Sequence, residues 1–144
     1  MREPENGLAP DAAGFVLAGG RSSRMGRDKA LVQFAGQTLV ARALGILQQA
    51  GLPASIAGWQ ASPLAGVPVI QDPKPDLGPL AGICAALASG SARRAVFLPV
   101  DLPLLPASLV EFLLRHAQTT DALVTVPSVA GYAQTFPAVV DPSA

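Results

Sequence analysis

Thirteen residues, Leu17-Ala-Gly-Gly-Arg-Ser-Ser-Arg-Met-Gly-Arg-Asp-Lys29, hold three glycines and four basic side chains, Arg21, Arg24, Arg27 and Lys29. Glycine lets a backbone turn tightly and come close to a ligand. Arg and Lys supply positive charge and donors suited to phosphate oxygens. The stretch follows an apolar, strand-like run from Gly14 to Ala18, and a strand leading into such a loop is how α/β proteins hold a polyphosphate. The competing reading is a solvated basic loop, in which Ser22 and Ser23 merely cap a turn. Two familiar phosphate loops are excluded by spacing. Arg21 stands where the dinucleotide fingerprint needs its second glycine, and five residues separate Gly20 from Gly26 where a Walker A loop has four.

Two further stretches carry chemistry. Pro99-Val-Asp-Leu-Pro103 ends an apolar run and sets Asp101 between prolines that fix the local backbone. A carboxylate at that point is a natural ligand for Mg²⁺, a hard cation that prefers oxygen; its other possible use is an ordinary turn or cap. Asp72-Pro-Lys-Pro-Asp-Leu-Gly-Pro-Leu-Ala-Gly82 pairs an aspartate with a run of glycine and proline, and Asp72 before Pro73 also suits a plain turn.

In order and spacing the three stretches resemble the NTP-transferase family that builds nucleotide-linked cofactors and activated sugars. Within it, Leu-Ala-Gly-Gly-x-Ser-x-Arg-Met-Gly-x-Asp-Lys is most similar to the molybdenum-cofactor guanylyltransferases. Cytidylyltransferase relatives usually carry Leu-Ala-Ala-Gly, and the sugar enzymes usually have Pro-Lys in place of Asp28-Lys29. The resemblance implies an enzyme that transfers GMP from GTP to molybdopterin with Mg²⁺ and releases pyrophosphate. It implies that Arg24 and Lys29 grip the distal phosphates, with Asp101 as the metal ligand. It places Leu17, Ala18, Gly19, Gly20, Asp72 and Gly78 beside them on the nucleotide. Arg21 and Arg27 fall where the family varies and are expected to be solvated. Guanylyl enzymes often have an Asn after the second strand, and Ala57-Gly58-Trp59 stands there instead. The alternatives are a cytidylyl or sugar-phosphate transferase, or a non-catalytic nucleotide- or partner-binding homologue. Transient contact with molybdoenzymes or other cofactor-biosynthesis proteins would accompany the guanylyl activity. Family members continue for several dozen residues past this chain, so the expected organisation is a loose leader at 1–13 and an NTP-transferase domain at 14–144 that lacks its C-terminal portion.

The elements that must position these residues follow from apolar periodicity. Strands are expected at Gly14–Ala18, Ala54–Ala57, Val67–Ile70, Ala95–Val100, Leu123–Val126 and Thr135–Val140. Helices are expected at Thr38–Ala50, with Thr38 as N-cap and Gly51 as stop, at Pro79–Ala88, and at Pro106–Ala117 with proline in its first turn. This alternation implies an α/β fold: three layers, a mostly parallel sheet, and Rossmann-like nucleotide-binding topology. Ligands in such sheets bind outside the carboxyl ends of the strands. Gly19-Gly20, Asp72 and Asp101 each follow a strand end, so all three stretches are expected at one edge.

Composition narrows the remaining classes. The 144 residues are half hydrophobic and 14% charged, which suits one globular domain. A net charge of zero argues against a general nucleic-acid or membrane-surface binder. Cys84 has no partner for an internal disulfide and is expected to pack within its helix. His116 is expected near a helix C-terminus, where the dipole favours it. No secretory signal pattern and no apolar run of roughly 20 residues is present, so cytoplasm is the default location.

Overall fold

The computed structural model describes residues 11–18, 29–58, 66–71, 79–90 and 92–143. The chain begins with strand β1 (Ala12–Leu17), a 3₁₀ turn (Lys29–Leu31) and a short hairpin of β2 (Gln33–Phe34) and β3 (Gln37–Thr38). Helix α1 (Leu39–Gln49), strands β4 (Ala54–Ala57) and β5 (Val69–Ile70), helix α2 (Pro79–Ala88) and strand β6 (Arg94–Pro99) follow. After helix α3 (Ala107–Thr120) come β7 (Val124–Thr125), a second hairpin of β8 (Ser128–Val129) and β9 (Tyr132–Ala133), and β10 (Ala138–Val140).

Six strands form the central sheet in the order β5-β4-β1-β6-β10-β7. The first four run parallel, and β10 lies antiparallel between β6 and β7. The side-chain period of two divides β1 between two faces. Ala12 and Val16 join a cluster with α1 and α3 residues such as Val40, Leu47, Val110 and Leu113. Ala13, Phe15 and Leu17 turn the other way, toward Ala86 and Ile83 of α2. This is the three-layer, mostly parallel α/β architecture expected from the alternation of elements. Phe15 and Phe97, neighbours across the β1–β6 ladder, stack on the α2 side with centroids 5.6 Å apart.

β1 begins two residues before the boundary drawn at Gly14, so Ala12 and Ala13 belong to the sheet and not to the leader. They are buried and pair with Arg94 and Ala95. Two alanines carry no strand signature of their own; only the partner strand reveals their place.

At Gly14 helix α1 and the sheet approach closely. A Cβ there would sit 2.9 Å from Leu47 Cδ1 and 3.2 Å from Leu47 Cβ, and Leu47 is fully buried. Gly14→Ala is therefore expected to destabilise the fold by about 1–3 kcal/mol through overpacking, read as a shift of the urea midpoint at constant slope. A cost below about 0.5 kcal/mol, the level of an ordinary surface change, would mean that α1 slides outward without penalty.

The helix ends show what local chemistry controls. Thr38 caps α1 by accepting a hydrogen bond from the Ala41 N–H at 3.2 Å, and Gly51 ends it with φ +82°. α3 starts after Pro106, which stands at the N-cap itself, and runs three residues past the expected end to a left-handed Asp121. His116 therefore lies a full turn inside the helix, not at its C-terminus. It is exposed, with its ring 6.3 Å from that of Phe112. Cys84, expected to pack within its helix, is instead exposed on α2, where Gly82 and Ala86 take the inward positions. Among the described residues, no helix is long and apolar enough to cross a membrane.

Candidate active site

Four parallel strands end level with one another. Leu17, the last residue of β1, pairs with Ala57 of β4 on one side and Pro99 of β6 on the other, and Ala57 pairs with Ile70 of β5. Every segment leaving these strands therefore emerges at the same edge of the sheet. β1 leads into the glycine- and arginine-rich stretch, β5 into the Asp72–Gly82 stretch, and β6 into Val100 and Asp101. The strand order reverses direction beside β1: the chain moves outward through β4 and β5, then returns to place β6 on the opposite flank. Such a switch point opens a crevice at the carboxyl ends of the strands, here between β1 and β6.

Lys29 and Asp101 each stand next to a residue of the core. Lys29 opens the 3₁₀ turn, and Ala30 immediately after it is fully buried. Asp101 is exposed, immediately after buried Val100. Ala30 and Val100 belong to the same apolar cluster, together with Val16 and Leu98. The neighbours of Lys29 and Asp101 thus join one cluster although these two residues are 72 positions apart in sequence.

Leu17 and Ala18 stand at the end of β1. The Leu17 side chain is buried among Phe15, Ala57 and Phe97, so only its backbone is available to a ligand. Ala18 donates its N–H to the Ala57 carbonyl at 3.3 Å and extends the ladder one step past the strand. Gly19, Gly20, Arg24, Asp72 and Gly78 lie outside the described residues, as do Arg21, Ser22, Ser23, Arg27 and Trp59. On the β4 side, Gly58 takes φ +84° and donates to the Ile70 carbonyl at 3.0 Å. Gly82 of α2 is buried, with its Cβ direction 3.6 Å from Gly58 Cα. That glycine therefore sits at the contact of helix and strand end.

One contact two residues past Asp101 has no motif behind it. Arg42, half-buried on α1, donates through Nε to the carbonyl of Pro103, two residues after Asp101. Its guanidinium carbon lies 5.3 Å from the ring centroid of Phe34, in the hairpin after Lys29. An arginine one turn into an amphipathic helix reads as a solvated face, and its carbonyl partner is 61 positions away.

Comparison with known proteins agrees with this geometry. Residues 14–142 match a family model described as the MobA-like NTP transferase domain. A probable molybdenum cofactor guanylyltransferase of Mycobacterium bovis (strain BCG / Pasteur 1173P2) is 46% identical over 131 residues. The match covers 83% of this chain and 65% of that relative, so the chain spans less than two thirds of its length. Among solved structures, molybdopterin-guanine dinucleotide biosynthesis protein A from Archaeoglobus fulgidus shares the fold with a TM-score of 0.72 at 23% identity, covering 91% of this chain and 68% of that one. A Mycobacterium tuberculosis H37Rv protein in complex with manganese does so at 0.67 and 20%, covering 94% and 73%.

Proposed function

Because the chain belongs to the MobA-like NTP transferase family, we propose that it transfers GMP from GTP to molybdopterin and releases pyrophosphate. The observation that supports this reading is the level ending of β1, β4, β5 and β6, which sends the stretches that follow β1, β5 and β6 out at one edge of the sheet. In the proposed reaction an oxygen of the terminal phosphate of molybdopterin attacks the α-phosphorus of GTP. The bond from that phosphorus to the β-bridging oxygen breaks in line, and the electron pair leaves with pyrophosphate. Such a transfer depends on positioning and electrostatics more than on covalent help from the protein.

The chain's residues divide the work. Lys29 and Arg24 hold the β- and γ-phosphates and offset the charge that grows on the leaving group. The backbone from Leu17 to Gly20 follows the phosphates, and Asp72 and Gly78 bound the nucleoside side. Asp101 offers one exposed carboxylate. Among the described residues, no group of three or more His, Cys, Asp or Glu side chains could hold a metal unaided. The Asp101 carboxylate suits Mg²⁺, a hard cation that shares its shell between one or two carboxylates, waters and substrate phosphates. A divalent cation held by Asp101 would supply positive charge against the phosphates. A divalent requirement is consistent with the manganese complex of the fold relative. Molybdoenzymes or other cofactor-biosynthesis proteins would be transient partners, and the setting would be the cytoplasm.

Calorimetric titration with GTP and CTP in the presence of Mg²⁺ tests the assignment. A buried polar group left unpaired costs about 1–3 kcal/mol, so GTP is expected to bind roughly tenfold more tightly or better. Equal affinities would remove the guanylyl reading while leaving the fold and family in place.

A further inference from the structure

We propose that Arg42 is a positioning residue that fixes the distance between the Lys29-bearing and Asp101-bearing segments. The link to catalysis rests on the guanylyltransfer reading above; the mechanical link does not. The segment after Asp101 reads Leu102-Pro-Leu-Leu-Pro106. Pro103 and Pro106 have no N–H, so the loop has few donors with which to brace itself, although Leu105 does donate to the Leu102 carbonyl at 3.2 Å. Arg42 supplies a donor from outside, aimed at the Pro103 carbonyl. The same guanidinium lies 5.3 Å from the Phe34 ring centroid, within the range at which a cation is attracted to an aromatic face. Phe34 belongs to the hairpin that closes through Ala35 and Gly36, both at positive φ, and packs against the same core cluster as Leu102 and Leu105. One planar group thus joins two segments that are about 70 positions apart in sequence. α1, which carries it, is itself fixed by the Thr38 cap and by Leu47 over Gly14.

Arg42→Ala removes both contacts, whereas Arg42→Lys keeps a cation over Phe34 and a donor that can reach the Pro103 carbonyl. Hydrogen exchange of the unliganded full chain reads the mechanical link. Arg42→Ala is expected to speed exchange of amides in both 33–38 and 102–105 by about tenfold, the equivalent of one lost hydrogen bond. Amides of α3 around Val110–Ala117 should be unchanged, and Arg42→Lys should restore most of the protection. Calorimetry with GTP, with and without Mn²⁺, reads the functional link. The Mn²⁺-dependent gain in GTP affinity should fall by roughly two- to thirtyfold, the range for residues that couple two sites, while metal-free binding changes less. Faster exchange spread evenly over the chain would show a merely structural role and overturn the proposal, as would protection unchanged in either segment. A wild-type chain that binds no GTP with Mn²⁺ would instead remove the functional reading, and the exchange arm would still decide the brace by itself.

Discussion

Asp101→Asn is expected to lower metal-dependent pyrophosphate release by about 10²–10³-fold, the usual cost of one major electrostatic element, without unfolding the chain. The side chain is exposed, and Asn nearly reproduces its shape, so the packing of Val100 beneath it is left alone. What disappears is the negative charge that a hard cation requires. Mn²⁺ retention in the presence of GTP, followed by electron paramagnetic resonance, should fall together with turnover. Because the chain spans 65% of the length of its M. bovis relative, turnover is best compared in this chain and in any longer natural form. Wild-type retention and wild-type turnover in the variant would move the metal to other residues.

Lys29→Ala is expected to weaken GTP by roughly 10–100-fold, since hydrogen bonds to charged groups contribute about 1.5–3 kcal/mol each. GMP, which lacks the distal phosphates, should lose far less. Alanine is tolerated in a 3₁₀ turn, and buried Ala30 keeps the local register, so the comparison isolates the ammonium group. Arg27→Ala serves as the reference and should change both nucleotides only slightly, as a solvated charge does. Equal losses from the two substitutions would mean that the stretch acts as a diffuse positive surface without a defined phosphate contact.

Where local chemistry decides an element, the sequence was enough. β4 and α2 fall on the residues that periodicity assigns them, and Thr38 and Gly51 bound α1 as expected. α3 overran its expected end because Gln118-Thr-Thr120 carries neither glycine nor proline, and the stop is supplied by Asp121 in a left-handed conformation. The hairpins β2–β3 and β8–β9 were missed for a related reason. Each turns through Ala-Gly, at 35–36 and 130–131, with both residues at positive φ. Asn or Asp in the first place is the usual signal for such a turn, and alanine gives none. The antiparallel direction of β10 was equally hidden, since an apolar run does not encode which way its neighbour points.

The same logic divides the site. Convergence of the three stretches on one sheet edge was legible, because strand ends in a parallel sheet must share an edge and each stretch follows one. The level pairing of Leu17, Ala57, Ile70 and Pro99 accords with that expectation. The Arg42 bridge was not legible. A carbonyl acceptor has no side-chain signature, and nothing in the spacing of Arg42, Phe34 and Pro103 distinguishes them from ordinary surface and core residues.

The central place of β1 also has a consequence during synthesis. It is the first strand of the sheet to be made, all six of its residues end up buried, and its two neighbours are β4 and β6. Leu17 meets Pro99 only after roughly eighty further residues have been joined, about 4–16 s at ordinary translation rates of some 5–20 residues per second. During that interval an apolar strand has one unsatisfied edge even after β4 has arrived, the kind of edge that recruits foreign strands. A nascent chain of this protein should therefore engage chaperones until β6 leaves the ribosome, and slowing translation between α2 and β6 should raise its aggregation more than slowing it after β6.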